Sequence, residues 1–367
     1  MMVKTGGVRI GARDLAGLVA RMFESEGLSH AAAATVAGAL VDADLEGQHS
    51  HGVMLVDMYL GRLRAGSVSR RETADVVTDH GGVTVLDAGH AFGHLTGDQA
   101  MGIAVAKARE FGTGIVAVRH AFHFGVARRY ALAAAGADCV GMVMCNTRPL
   151  MPAPGGAERV VGNNPLAIAI PTDGSTPMVL DMAMSEAAMG RIRMAAKIGE
   201  AIPPNWAVRS DGTPTTDPGE AITGMLLPAA GPKGFGLALM IDMLCGLLSG
   251  GAWGGGVQPL YGDFSVPYDC SQLFMAINLA HFGKPGDMRR QVLAAAECLR
   301  ASPPAPGTDR LFTPGEIEWQ RGLTSDGTVR VDGSVAAMLV RMANECGIEV
   351  VDLADTRDRK VDADGQD

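Results

Sequence analysis

The sequence predicts an α/β protein in which a central lobe of alternating strands and helices is flanked by helix-rich ends. Apolar residues recur at helical spacing near the start, strand and helix patterns alternate from Val83 onward, and two further helical patterns follow residue 285. We predict that residues 1–72 and 285–354 form one helix-rich lobe and residues 73–284 the other. The charged tail, 355–367, has no apolar period and is expected to be disordered.

Three helices are predicted near the N-terminus. Apolar residues in 12–27 recur at i, i+3, i+4, i+7 and i+8, which forms one stripe. Ser29 has a side chain suited to capping an alanine-rich helix that runs to about Glu46, and 53–64 is the third helix. The polar segment 47–52, bounded by glycines, lies between the last two helices and is not expected in the core.

The central segment alternates strands and helices, with turns rich in Gly, Pro and Asp between them. We predict strands at 83–86, 114–118, 140–145, 166–170, 178–182 and 273–279. The predicted helices are 98–111, 125–137, one capped by Ser185 that runs to about 198, 233–249, 287–300 and 334–346. The most apolar stretch, 234–253, is interrupted by Asp242, which favours a buried core helix over a membrane span.

Composition excludes several classes of protein. Apolar residues make up 47% and charged residues 19%, which is typical of a globular rather than a disordered chain. Lys and Arg number 31 against 40 Asp and Glu, a net charge of −9, so no cationic excess is available to bind nucleic acid. The six cysteines form no C-x-x-C pair and no apolar signal segment precedes the first helix, so we expect a cytoplasmic protein without a membrane segment.

The stretch Gly112-Thr-Gly114-Ile-Val-Ala117 matches G-x-G-x-x-A, the loose form of the dinucleotide fingerprint. That fingerprint binds phosphate only where a strand precedes it and a helix follows. Here a predicted helix precedes and a predicted strand follows. We therefore interpret the stretch as a helix-to-strand turn. The sequence has neither a Walker A motif nor H-E-x-x-H, and we predict no metal site.

Two histidine segments are candidates for acid–base chemistry. His51 lies in the polar segment beside Ser50, whose hydroxyl can orient the imidazole or bind substrate. A turn with capping roles is the alternative, and the pair His49 and His51 is weak evidence for a metal. His123 lies at the start of another predicted helix, where a packed or capping histidine is equally compatible with the spacing.

A third candidate is the glycine-rich turn Gly231-Pro-Lys233-Gly-Phe-Gly236. It places a lysine at a helix N-terminus, where backbone N–H groups and the ammonium together suit a phosphate or carboxylate. An exposed turn lysine is one alternative. A carbonyl-condensing lysine is another, although nothing nearby indicates the phosphate-binding cup of a cofactor of that kind.

Seven blocks of sequence recur in the order found in one known family: 50–53, 123–125, 162–167, 179–185, 202–203, 214–218 and 227–234. Together they resemble the type-2 malate/L-lactate dehydrogenase family, which includes ureidoglycolate dehydrogenase, diketogulonate reductase and pyrroline/piperideine-2-carboxylate reductase. The resemblance covers about residues 14–350. It implies a homodimeric, NAD- or NADP-dependent oxidoreductase with a mixed-sheet, non-Rossmann cofactor lobe and a helix-rich lobe for substrate and dimerisation.

The family's chemistry is hydride transfer between nicotinamide and a small 2-hydroxy or 2-oxo carboxylate of malate, lactate or ureidoglycolate type. Its acid–base histidine corresponds to His51 in some members and to His123 in ureidoglycolate dehydrogenase, and we favour His51, with Ser50 beside it. The family's cofactor contacts correspond here to Thr147, Val179, Leu180, Asp181, Met182, Ala183, Met184, Ser185, Pro232, Lys233, Gly315 and Glu316.

The chain departs from the family pattern where the substrate carboxylate is bound. Leu55 stands where relatives carry the arginine of S-H-G-V-x-R, and an alkyl chain cannot replace a bidentate guanidinium. Arg148 is one candidate replacement, together with Arg128 and Arg129. We predict Arg148 and Arg191 as substrate-binding residues.

Two further departures bear on the substrate. Arg191 stands where the imine reductases of the family carry Asp, which disfavours the alternative function of a cyclic 2-imino-acid reductase. Pro154 replaces a tryptophan of the family's P-W-G-G turn. Because of Leu55, a relative that binds dinucleotide without turnover is a second alternative.

Overall fold

The structure is a computed structural model that describes residues 7–174 and 176–350, so the tail predicted at 355–367 lies outside the described residues. The α-helices of this part are α1 (Ala12–Ser25), α2 (His30–Leu45), α3 (Val56–Ala65), α4 (Gly93–Phe111), α5 (Arg128–Ala135), α6 (Met189–Ile198), α7 (Pro218–Thr223), α8 (Pro232–Ser249), α9 (Pro285–Ala301), α10 (Glu316–Thr324) and α11 (Gly333–Glu345). The strands are β1 (Val8–Gly11), β2 (Asp75–His80), β3 (Val83–Asp87), β4 (Thr113–Ala121), β5 (Cys139–Cys145), β6 (Met151–Pro152), β7 (Arg159–Val161), β8 (Leu166–Ile170), β9 (Met178–Met182), β10 (Ala207–Val208), β11 (Met225–Leu226), β12 (Cys270–Asn278) and β13 (Thr328–Val331).

The chain divides into an outer unit, whose described residues are 7–65 and 320–350, and a central unit, residues 66–319. The sequence-based boundaries, near 72 and 285, place α9 with the chain ends, whereas the structure groups it with the central unit. A helical pattern shows that a segment is helical but not which unit it packs against.

The outer unit is built on α1 and α2. The stripe predicted on α1 is buried, with Leu15, Val19 and Phe23 fully inaccessible. Ser29 caps α2 as predicted, since its hydroxyl accepts the Ala32 N–H at 3.2 Å. Strand β1 pairs antiparallel with β13, so segments that lie more than 300 residues apart in the chain meet within this unit.

The central unit contains a seven-stranded sheet in the order β2-β3-β4-β12-β5-β8-β9. Only β3 and β4 are parallel within it, and every other neighbouring pair is antiparallel. A Rossmann domain has a parallel sheet. The expectation of a mixed, non-Rossmann sheet is therefore confirmed.

The G-x-G-x-x-A stretch is a helix-to-strand turn, as interpreted from its context. Gly112 ends α4 with φ +84°, and β4 begins at the next residue. A Cβ on Gly114 would lie 2.0 Å from the Ala104 carbonyl oxygen, so this glycine lets β4 lie close to α4. Gly112 thus allows the turn that ends α4, and Gly114 allows β4 to pack closely on α4.

Helix α8 corrects one expectation. It is long and apolar enough to cross a membrane by length and composition, and about a third of it is buried. Ala238, Ile241 and Cys245 belong to the core of the central unit. The opposite face is exposed and apolar, so only one face of α8 is the buried core helix expected from its composition.

Two local expectations are also corrected. Ser185 does not cap a helix, because α6 begins at Met189 and the Ser185 hydroxyl donates to the Ala187 carbonyl at 2.9 Å. His123 lies in the loop after β4, five residues before α5 begins at Arg128, and not at the start of that helix.

Candidate active site

In the outer unit, a 3-10 turn at His49–His51, which we call the His51 turn, presents Ser50 and His51. The Ser50 Oγ and the His51 Nδ1 lie 2.9 Å apart, within hydrogen-bond distance. Burial lowers the pKa of the His51 imidazole. The turn therefore holds a histidine that is neutral near pH 7 and is oriented by a hydroxyl.

The His51 turn rests on Asp44, at the end of α2. The buried Asp44 carboxylate accepts the Val53 N–H at 2.7 Å and lies 2.9 Å from the His49 Nδ1. This hydrogen bond raises the pKa of His49, although burial opposes the shift. Sequence reasoning missed Asp44; its signal is a carboxylate among apolar helix residues just before a polar turn.

In the central unit, Thr147 is held by two asparagines. Its backbone N–H donates to the Asn164 Oδ1 at 2.8 Å, and its hydroxyl donates to the Asn163 Oδ1 at 3.0 Å. The Asn164 amide in turn donates to the Ala238 carbonyl of α8 at 2.9 Å. A Cβ on Gly162 would lie 2.3 Å from the Thr147 carbonyl oxygen. The close contact between the Gly-Asn-Asn block and Thr147 therefore requires glycine at position 162.

The residue before Thr147 is fixed by a second buried network. Asn146 is fully buried, and its amide donates to the Asp242 carboxylate of α8 at 2.9 Å. The Gly254 N–H donates to the other Asp242 oxygen at 3.0 Å. Burial raises the pKa of Asp242 even though both hydrogen bonds oppose this. Sequence reasoning missed this role of Asp242, for which an acid within an apolar helix is the signal.

The predicted cofactor segment 179–185 begins as edge strand β9 and then joins the same network. The Met184 N–H donates to the Asn163 carbonyl, and the Met184 carbonyl accepts the Ala229 N–H, both at 2.9 Å. Ser185 forms an isolated bridge with Pro228. The Asp181 carboxylate accepts the Arg128 N–H at 3.0 Å. Hydrogen bonds thus connect the segments around residues 147, 163, 184 and 229.

Helix α8 begins directly after this network. Gly231 has φ +61° and precedes Pro232, while Lys233 is exposed in the first turn. A cleft of ≈ 210 Å³ lies beside this helix end, lined by the turn 152–157 and by residues that include Leu227, Pro228 and Pro232. Pro154, at the position of the family's tryptophan, is part of this lining.

Gly315 and Glu316 lie where α10 begins. Gly315 has φ +78°, and a Cβ there would lie 2.3 Å from a Val179 methyl group, so the residue must pack directly on β9. The buried Glu316 carboxylate accepts hydrogen bonds from Arg300, Arg310 and Thr313 at 2.7 to 3.0 Å. Although burial opposes the shift, these bonds lower the pKa of Glu316.

The arginines proposed to replace the one lost at Leu55 differ in their surroundings. Leu55 itself is buried, 1% exposed, in the core of the outer unit. Arg129 pairs with Asp98 at 2.8 Å, and Arg128 is 4% exposed. Arg148 is half-buried and, within residues 7–174 and 176–350, forms no ion pair; burial and the nearby Arg159 guanidinium lower its pKa. Arg191 is exposed on α6.

The cationic groups of the central unit suit two kinds of anion, a dinucleotide phosphate and a carboxylate. The N-terminus of α8 and the exposed Lys233 ammonium suit a phosphate. The half-buried Arg148 guanidinium has no acidic partner in the part of the chain that the structure describes, so it suits a second anion. Among those same residues, no group of three or more His, Cys, Asp or Glu side chains could hold a metal ion.

The chain matches known proteins along most of its length. The family model for malate/L-lactate dehydrogenase matches residues 10–340. Malate dehydrogenase of Pyrococcus abyssi is 36% identical over 317 residues, covering 84% of this chain and 86% of that protein. The NAD(+) ureidoglycolate dehydrogenase of Escherichia coli K12 is 35% identical over 309 residues, covering 84% of this chain and 88% of that protein.

Solved structures of dehydrogenases are also similar to this chain in fold. The solved structure of sulfolactate dehydrogenase from Methanocaldococcus jannaschii superposes with a TM-score of 0.88 at 33% identity and covers 93% of this chain and 98% of that one. A mixed sheet in place of the parallel Rossmann sheet, together with these matches, defines a dehydrogenase of the non-Rossmann class. The chain belongs to the malate/L-lactate dehydrogenase family, as its sequence motifs indicated.

Proposed function

We propose that the chain is an NAD- or NADP-dependent dehydrogenase that interconverts a small 2-hydroxy carboxylate and its 2-oxo form. The observation that carries this proposal is the Ser50–His51 contact of 2.9 Å at the family's S-H-G motif. Malate, lactate and ureidoglycolate are the substrate types to be tested. The nicotinamide supplies or accepts the hydride at C2, and the protein supplies position and protons.

His51 is the proposed acid–base residue. In the oxidative direction its neutral imidazole accepts the proton of the C2 hydroxyl, and in the reductive direction the protonated ring returns it. Ser50 engages Nδ1, and Nε2 is the nitrogen proposed to exchange the proton with the substrate. His123 is the alternative acid–base residue in the central unit.

Thr147, the segment 179–185, Pro232, Lys233, Gly315 and Glu316 are the proposed cofactor-binding residues. The network of Asn163 and Asn164 supports this assignment, because it holds Thr147 against α8 in a defined position. Lys233 and the first-turn N–H groups of α8 bind the pyrophosphate. Glu316 contributes through its backbone, since its carboxylate is already engaged by Arg300 and Arg310.

Arg148 is the proposed anchor of the substrate carboxylate, with the exposed Arg191 as a second candidate. A guanidinium can bind both carboxylate oxygens, which the buried Leu55 cannot do. The lack of an acidic partner for Arg148 among the described residues supports this choice.

We further propose a homodimer in which α8 contributes to the interface. Leu237, Met240, Leu244 and Leu247 lie on one helix face and are 41% to 65% exposed. A contiguous apolar face of this kind is typical of a protein interface. The six cysteines are free thiols, which fits the reducing cytoplasm as the proposed location.

The test is a substrate screen that follows the absorbance of the reduced nicotinamide. NAD and NADP are each assayed with malate, lactate, ureidoglycolate and the corresponding oxo acids, and pyrroline-2-carboxylate is included. We expect turnover of at least one 2-hydroxy or 2-oxo acid. A preference for the cyclic imine would contradict the proposed substrate class, and binding of NADH without any turnover would support a non-catalytic relative.

The same assay assigns the acid–base residue. His51→Ala is expected to lower kcat by about 10²-fold or more, the usual contribution of a positioned general acid or base. His123→Ala serves as the matched comparison, with cofactor binding measured by NADH fluorescence in both variants. A larger loss in His123→Ala would transfer the role to His123.

A further inference from the structure

In the outer unit, the His51 turn is held by Asp44, an acidic residue that lies outside the sequence motifs of the site. The Asp44 carboxylate makes one contact on each side of Ser50 and His51. It lies 2.9 Å from the Nδ1 of His49, the first residue of the turn, and accepts the Val53 N–H, two residues after His51, at 2.7 Å. The Asp44 side chain is 6% exposed and the His49 side chain 61% exposed, so the contact with the Val53 N–H is shielded from water and the contact with His49 is only partly buried.

Gly52 shows how tightly the turn packs on this carboxylate. Its φ is −91°, which any residue can adopt, so backbone conformation does not require glycine there. A Cβ at this position would instead lie 2.2 Å from the Asp44 Cγ and Oδ2. The glycine of the S-H-G motif is therefore required by the position of Asp44.

We propose that Asp44 is a positioning residue for His51, because it clamps the two flanks of the turn and thereby sets the direction of the imidazole. The inference rests on the proposed role of His51 in proton transfer. A carboxylate that binds both flanks restricts the backbone conformations of the turn, which is followed directly by Gly52.

Among the described residues, Arg321 of α10 is a second charged group that acts on His49. Its charge lowers the pKa of His49 and thus opposes Asp44, whose hydrogen bond is the larger effect. The guanidinium also packs against Gly47, where an added Cβ would lie 3.1 Å from its Nη1. The Val53 N–H is a backbone amide that does not titrate. Its hydrogen bond to Asp44 therefore persists when His49 loses its proton.

The first test compares Asp44→Ala, Asp44→Asn and the exposed control Asp42→Asn on the same helix. We expect Asp44→Ala to lower kcat by about 10²-fold, the typical effect of misplacing a reacting group. Asp44→Asn keeps an acceptor for the Val53 N–H and should retain more activity. The cofactor Kd, measured by NADH fluorescence, should not change in any of them.

The solvent deuterium isotope effect on kcat separates positioning from partial unfolding. It should rise in Asp44→Ala, because proton transfer becomes slower, whereas a smaller folded fraction would leave it unchanged. An unchanged kcat, or a lower kcat with an unchanged isotope effect, would overturn the inference. If His51→Ala is fully active, the proposed function of His51 fails instead, whatever Asp44→Ala shows.

The second test is a double-mutant cycle between positions 44 and 52. Gly52→Ala alone should lower kcat by about 10²-fold, because its methyl group displaces the Asp44 carboxylate. In the Asp44→Ala background the same change should have almost no further effect. Gly38→Ala on α2, where nothing lies within 4 Å, is the control that should retain full activity. Equal losses from Gly52→Ala in both backgrounds would contradict the clamp.

Discussion

At the scale of single residues, the proposed chemistry depends on the protonation of one imidazole. Burial lowers the pKa of His51 from the ordinary histidine value of about 6.5. Buried cations are penalised because they lose hydration, and this loss is the cause of the shift. A histidine of this kind is a better proton acceptor than donor near pH 7.

This predicts opposite pH profiles for the two reaction directions. Oxidation needs the neutral ring, so kcat/KM should rise with pH through a pKa below about 6.5 and then stay level. Reduction needs the protonated ring, so kcat/KM should fall as pH rises through the same pKa. Profiles measured in both directions test this, and His51→Ala should remove the inflection. An oxidative inflection above the ordinary histidine value would be inconsistent with a buried base.

At the residue level, the sequence could predict contacts and positions that involve neighbours in the chain, while the chemical roles of these residues stay predictions. The Ser50–His51 pair and Lys233 at a helix N-terminus could be predicted because each involves neighbours in sequence. Asp44 and Asp242 could not, since the partner of a buried carboxylate depends on the tertiary fold. Asn146 and Asp242 are 96 residues apart in the chain.

At the scale of secondary-structure elements, the start of α10 depends on one buried carboxylate. Glu316 links its own N-terminal turn to Arg300 on α9 and to Arg310 in the preceding loop. Because its pKa is lowered in the folded state, it stabilises the fold above the unfolded-state pKa of about 4.3, and this is lost as pH falls through the folded-state pKa.

Glu316→Gln is therefore expected to reduce the free energy of unfolding of the central unit by about 2–3 kcal/mol at pH 7, the usual contribution of hydrogen bonds to a charged group. The difference from the parent protein should shrink as pH falls below about 4.3 and through the lower folded-state pKa. Thermal unfolding followed by circular dichroism at several pH values measures this. Glu318→Gln, in the same helical turn, is the matched control, and an equal loss there would argue against the role of Glu316.

Long elements could be predicted from the sequence, whereas short strands could not. Helices such as α1 carry an apolar stripe over several turns, and β8 and β9 are joined by a recognisable turn. Strand β1 pairs with β13, more than 300 residues away, and β2 is exposed along its length and lacks an alternating pattern. Such strands exist because a partner is present, which a local pattern does not show.

At the scale of the whole molecule, the exposed face of α8 predicts the state of association. Leu244 is 41% exposed and Leu247 is 65% exposed, on a helix that is otherwise part of the core. A charge in the middle of an apolar interface lacks a partner and is desolvated there. Leu244→Glu and Leu247→Glu should therefore convert a dimer into a monomer.

Size-exclusion chromatography with light scattering measures that change. Leu299→Glu, on α9 and 39% exposed, introduces the same charge on another helix and should leave the dimer intact. A parent protein that is monomeric at all concentrations would contradict the proposed interface, as would dissociation by Leu299→Glu alone.

The position of β12 in the sheet has a consequence for biosynthesis. This strand is formed by Cys270–Asn278, yet it lies between β4 and β5, which are made long before it. Until the ribosome has released those nine residues, β4 and β5 have no common neighbour and the nascent chain exposes two unpaired strand edges. Polypeptides that terminate before residue 270 would therefore be substrates for chaperones and proteases, and not smaller folded domains.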